Sequence, residues 1–173
     1  MKIFNFFAKK KTETYIWHAS NYLFDFFDQN KIGAHASVYG HGFYFSCSQQ
    51  GAKNAFPNQK YVYQVLIDEK ELTNIIQSAV KISNQSKKIQ SAAKRLKSYA
   101  PLTYHDNFLD ANGSNLPKAA ETYANDKKTI YSRDVLMQLG IKGYYVEDGP
   151  SETHRLYVIY DPSIIKIVAI HFI

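Results

Sequence analysis

The chain has 173 residues and carries 21 Lys and Arg against 15 Asp and Glu, a formal net charge of +6. That length fits one domain, and with 45% hydrophobic residues it can bury a real core, which excludes a disordered chain. Cys47 is the single cysteine, which excludes an intramolecular disulfide and a cysteine-based zinc site, and no apolar run approaches the ~18 residues that span a bilayer. The apolar start, Met1 to Ala8, is shorter than a signal-peptide core, and Lys9, Lys10 and Lys11 follow it instead of preceding it. The expected location is the cytoplasm, or a target cell reached without a cleavable signal peptide.

In chain order, Thr14 to His18 is rich in β-formers and predicts a short strand. Leu23 to Asp28 predicts a short helix that Asn21 caps. Gly33, Gly40 and Gly42 mark an irregular loop before a strand at Phe43 to Phe45. Ser48 caps a helix that runs to about Phe56, where Pro57 ends it. Tyr61 to Ile67 is a strand, Glu69 to Val80 a helix, and Ser86 to Ala100 a second helix stopped by Pro101. A loop with an Asn112-Gly113 turn leads to helices at Pro117 to Tyr123 and Ser132 to Leu139, the latter closed by Gly140. Gly143 to Val146, Arg155 to Tyr160 and Ile164 to Ile170 are strands. Strands, then helices, then strands predict an α+β fold.

The charge is concentrated. Between Leu72 and His105 there is no Asp or Glu, and six cations lie there: Lys81, Lys87, Lys88, Lys94, Arg95 and Lys97. Taking these six from the 21 leaves 15, equal to the acidic count, so the rest of the chain is neutral. On a helical wheel Ile89, Ala92, Ala93, Leu96, Tyr99 and Ala100 share one face, while Lys87, Lys88, Lys94, Arg95 and Lys97 share the other. Such a stripe is either a solvated face or a surface for an acidic partner: nucleic acid, an anionic membrane, an acidic protein target or an inhibitor protein. No aromatic alternates with these cations, so the stripe offers no stacking for single-stranded bases.

Three separated segments carry candidate chemistry. They are Trp17-His18-Ala19-Ser20, Tyr39-Gly40-His41-Gly42-Phe43-Tyr44-Phe45-Ser46 with the Ser-capped helix behind it, and Leu156-Tyr157-Val158-Ile159-Tyr160-Asp161. Singly, each reads most simply as a strand end, a turn into a strand and a core strand. The other histidines, His35, His41, His105, His154 and His171, show no metal-ligand spacing, so no metal is expected. Nothing specifies a base for Cys47 as a nucleophile.

In this order, the three segments resemble the ADP-ribosyltransferase superfamily, in its diphtheria-toxin and poly(ADP-ribose) polymerase branch. The run Leu139 to Tyr144 and the tail Tyr157 to Lys166 are also similar to small bacterial and phage members. The resemblance runs through landmarks over about residues 14–170. It implies a single domain, 1–173, with an ADP-ribosyltransferase-like split β-sheet core, peripheral helices and a basic helical insertion at about 72–130. NAD would be the substrate, bound between two small sheets, with no metal.

The resemblance assigns roles by position. His18 would bond the adenosine-side ribose with Ser20 supporting it, and the backbone of Ala19, where the family has Gly, would hold the nicotinamide carboxamide. Gly40 and Gly42 would let the loop pass close to NAD, with Phe43 among the cofactor-binding residues. Tyr44 would lie against the nicotinamide ring, with Phe56 or Phe45 as a second aromatic wall. Loss of nicotinamide passes through an oxocarbenium-like state that favours nearby negative charge. The family supplies it with a Glu where this chain has Leu156, so the catalytic expectation is His18, Tyr44 and a substitute carboxylate, Glu152, with Glu147 as the alternative. Leu156 cannot activate an incoming ribose hydroxyl, so the implied product is a single ADP-ribose on a protein or nucleic-acid target, not a polymer.

A bacterial or phage toxin or effector, with an inhibitor protein as a further partner, fits this size and character. Two alternatives stand beside that function: a non-catalytic NAD- or ADP-ribose-binding module acting through the basic helix, and an RNA 2′-phosphotransferase-type enzyme on the same fold. The latter needs several Arg near its pocket, and the chain has only Arg95, Arg133 and Arg155.

Overall fold

The structure is a computed structural model that describes residues 13–32, 41–128, 131–147 and 155–173. Glu152, and with it Gly33, His35, Tyr39, Gly40 and His154, lies outside the described residues. Among these residues seven strands form one mixed sheet: β1 (Thr14–Ser20), β2 (Phe43–Ser46), β3 (Tyr61–Ile67), β4 (Ile75–Gln77), β5 (Gly143–Glu147), β6 (Arg155–Ile159) and β7 (Ile165–Phe172). Their order across the sheet is β4-β5-β6-β2-β1-β3-β7. Only β4 and β5 pair in parallel; the other neighbours are antiparallel. The α-helices are α1 (Gln49–Ala55), α2 (Lys87–Arg95), α3 (Asn115–Asp126) and α4 (Ser132–Gln138).

The sheet is not zipped evenly. β1 pairs with β3 along its whole length, from Thr14↔Ile67 to Ser20↔Tyr61. Likewise β2 pairs with β6 from Phe43↔Ile159 to Ser46↔Leu156. Between them β1 and β2 share one register pair, Trp17↔Ser46. A seam thus divides β4-β5-β6-β2 from β1-β3-β7.

Side-chain alternation along each strand sorts the two faces. One face of β4, β5 and β6 buries Ile76, Tyr144, Val146, Val158 and Tyr160 against Ile89, Ala93 and Leu96 of the α2 region, Leu116 and Ala120 of α3, and Val135 and Leu136 of α4. Across the seam on that face, Ala19 and Val62 pack on Ala52 of α1, with Trp17 beside them. The opposite face runs unbroken through Ile16, Phe45, Tyr63, Val65, Ile67, Ile75 and Ile159. Residues 72–128, where the resemblance has no landmarks, therefore supply strand β4 and much of the larger core.

Two expected helices are absent. Leu23 to Asp28 is irregular. Its backbone is held by a side chain instead: the Tyr63 hydroxyl accepts from the Phe24 N–H at 2.9 Å and donates to the Tyr22 carbonyl at 2.8 Å. Phe24 then stacks on Tyr63, with ring centroids 4.2 Å apart. Glu69 to Val80 is a 3-10 turn, Glu69–Asn74, followed by β4. The β-branched pair Ile75-Ile76 sends one side chain into each face of the core, which a strand permits and a one-faced helix does not. The helix expected over Ser86 to Ala100 keeps its α form to Arg95 and finishes as a 3-10 turn at Lys97–Tyr99.

Candidate functional site

The seam opens a cleft on the face that α1 covers. It encloses about 430 Å³, including the part open to solvent. From β1 it receives Trp17 and Ala19, and from β2 Tyr44, Phe45 and Ser46. α1 contributes Gly51, Ala52 and Ala55, with Phe56 at its end, and β6 contributes Arg155 and Leu156.

The local sequence makes this wall. Ser48 caps α1 by accepting from the Gly51 N–H at 3.0 Å. Gly51 lies so close to β2 that an added Cβ would stand 2.1 Å from Ser46 Oγ. The small residues at 51, 52 and 55 keep that side of the helix low, and the aromatic rings flank the space that remains. Phe56 is 44% exposed, so it stands at the mouth.

Of the positions singled out by sequence, Ala19, Tyr44, Phe45, Phe56 and Leu156 meet at this cleft. His18 does not line it. Alternation sends His18 to the other face of β1, where its ring sits 5.3 Å from Phe27, 5.5 Å from Phe45 and 6.3 Å from both Phe24 and Tyr63. There His18 Nδ1 donates to the Tyr44 carbonyl at 2.8 Å. This side-chain bond crosses the seam beside the single backbone pair and ties Tyr44 to β1. Burial pushes the imidazole below its usual range, and the bond to Tyr44 offsets part of that effect.

Ser20 accepts from the Tyr22 N–H at 3.1 Å and so shapes the turn after β1. Phe43 packs on Phe27 at 5.1 Å, on the His18 face. The close approach at Gly42 is to β6, where an added Cβ would meet Val158 at 2.6 Å and the Ile159 carbonyl at 3.0 Å. Among the described residues no carboxylate lines the cleft. Glu147 is one step away, paired with Arg155 at 2.9 Å on the neighbouring strand. His41 packs edge-on against Tyr131 at 4.3 Å. No group of three or more His, Cys, Asp or Glu among the described residues is placed to hold a metal ion, and no described helix is long and apolar enough to cross a membrane.

Sequence reasoning gave no role to Trp17, Ser46, Gly51, Ala52 or Ala55. Parity would have found the first two, since each lies two residues from a nominated position, Ala19 or Tyr44, on the same strand. Behind Trp17 stands the His171 ring, centroids 5.7 Å apart, with its Nε2 buried and without a hydrogen-bond partner among the described residues. Comparison with known proteins found no match to any protein-family model, curated protein or solved structure.

Proposed function

We propose that the chain binds NAD at the seam and transfers single ADP-ribose units to a macromolecular target, releasing nicotinamide. The observation that carries this reading is the convergence of Trp17, Tyr44 and Phe56 around Ala19 in one cleft. A flat, electron-poor nicotinamide ring suits such a set, because each aromatic face adds about 1 kcal/mol of stacking. A seam joined by one register pair suits a carboxamide, which needs one donor and one acceptor. On this reading the core is an ADP-ribosyltransferase-like split sheet, with β1–β2 as the split.

In the reaction the bond from the ribose anomeric carbon to the nicotinamide nitrogen breaks, and its electron pair leaves with nicotinamide. The acceptor atom of the target forms the new bond to that carbon and loses its proton to water. Arg155 is the cation among the described residues that line the cleft and is suited to the diphosphate. Among the described residues Leu156 leaves the oxocarbenium-like carbon without a facing carboxylate; Glu147, held by Arg155, is a described candidate to serve it beside Glu152.

That same absence favours a second reading, an NAD- or ADP-ribose-binding module without catalysis. Trp17 is the only tryptophan, so its fluorescence reports the cleft directly. NAD and nicotinamide titrations should quench it, and Tyr44→Ala should abolish the response. Labelled NAD with a cell lysate should then give labelled macromolecule and free nicotinamide. Quenching without label transfer would leave the binding module; no quenching and no transfer would end both readings.

A further inference from the structure

A strongly charged feature outside the cleft is the outer face of α2 and of the turn after it. Ile89, Ala92, Ala93 and Leu96 are buried in the core, which fixes the rotation of the helix. Lys87, Lys88, Lys94, Arg95 and Lys97 are all exposed on the outside, with Ser91 and Ser98 exposed among them. Lys87 and Lys94, like Lys88 and Arg95, are seven residues apart, two turns or about 10 Å along the axis. The stripe therefore presents two cation pairs with a hydroxyl between them. Among the described residues none of these five cations is ion-paired, while other lysines and arginines of the chain are. The Lys88 stem lies against Gly140 of the α4 terminus, which steadies one side chain of the row.

We infer that α2 docks double-stranded DNA through its phosphate backbone. Two features separate this occupant from an acidic protein. Protein interfaces have apolar, aromatic centres poor in Lys, whereas no large hydrophobic residue of α2 is exposed; the exposed ones next in sequence are Val80 and Leu102, outside the helix. Backbone contacts to DNA are made by Lys, Arg and Ser, the composition of this stripe. The absence of an interleaved aromatic argues against single strands, which are held by stacking. Laid along the B-form major groove, ~12 Å wide, the helix meets the phosphates of both walls with its two rows of cations; the narrow A-form groove does not admit it, so the duplex is DNA and not RNA. Recognition is by charge and shape, without a base code.

The test is fluorescence anisotropy of a labelled DNA duplex, with no dinucleotide present, so that its outcome is independent of the cleft. Four or five neutralised phosphates predict that log K falls with log salt at a slope of about −4. The variant Lys87→Gln/Lys88→Gln/Lys94→Gln/Arg95→Gln should lose at least about tenfold in affinity and most of that slope. All four side chains are exposed and, among the described residues, without an ion pair, so its thermal unfolding should match that of the parent protein. No binding at ~50 mM salt, where electrostatic contacts are strongest, overturns the proposal. So does tighter binding to single strands, to an RNA duplex or to polyglutamate, and so does a quadruple variant that binds as well as the parent.

Discussion

On one face of the seam, four aromatic rings close around His18. On the other, at the same strands, three rings and a row of small side chains leave an open cleft. The two faces share their backbone, so the difference lies in what covers them. The His18 face is covered by residues 21–28, whose Phe24 and Phe27 pack inward on Tyr63, Phe43 and Phe45. The other face is covered by α1, which brings Gly51, Ala52 and Ala55 to the same place. Large residues filled one side and small ones vacated the other. A seam in a sheet thus opens as a cleft only where its covering element stays small.

The largest effect should come from the closed face. Tyr63→Ala removes the ring that stacks on Phe24 and the hydroxyl that serves Tyr22 and Phe24, and should cost about 3–5 kcal/mol in urea unfolding. Tyr63→Phe keeps the ring and should cost about 1 kcal/mol, because a partly buried N–H and carbonyl lose their partner. If Tyr63→Phe were neutral, water would be reaching that backbone and the face would not be closed.

His18 is the bolt between the faces. Its folded form resists protonation more than the unfolded chain, so the unfolded state takes up the extra proton. Its stabilising contribution is therefore present above about pH 6.5 and is lost as pH falls below that value. His18→Asn places an amide donor where Nδ1 stands. It should keep Tyr44 in place, retain most of the stability and flatten this acid-side dependence. His18→Ala should lose about 1–2 kcal/mol and weaken the Trp17 response to ligand. An unchanged acid slope in His18→Asn would assign the dependence to other groups.

The open face is tested by filling it. Ala55 is exposed at the cleft wall, so Ala55→Leu should leave stability within about 0.5 kcal/mol while reducing NAD or nicotinamide affinity by at least about tenfold. Undiminished binding would move the ligand elsewhere. The smallest effect belongs to the Glu147–Arg155 pair. Both side chains are 45% exposed, so breaking it with Glu147→Gln should cost less than about 1 kcal/mol. Its value is in the contrast: loss of transfer with binding intact would make Glu147 the substitute carboxylate.

Much of the fold could be read from local signals. Ser48 and its helix, the Tyr61 to Ile67 strand, the amphipathic α2 and the strand-rich C-terminus all appear where pattern and capping put them. Elements whose role depends on distant partners were misread. Ile75-Ile76 follows a helix-like stretch and becomes β4 only because β5, some 70 positions later, offers Gly143 to Tyr145 as a parallel partner. Leu23 to Asp28 has helix-like spacing, yet the Tyr63 hydroxyl takes the backbone bonds that a helix would have made.

The same division holds at the site. The sequence alone determined that Ala19, Tyr44, Phe56 and Leu156 deserved attention, and that one helix carries the excess positive charge. Strand parity and helix periodicity are local properties, and they suffice for that much. Only the tertiary structure decided that β1 and β2 meet at a single pair, that His18 turns away from the cleft to hold Tyr44, and that Trp17, Gly51 and Ala55 complete the wall. Those facts depend on which strands become neighbours and on the bulk of what packs above them. Long-range burial selects both, and no window of local sequence contains them.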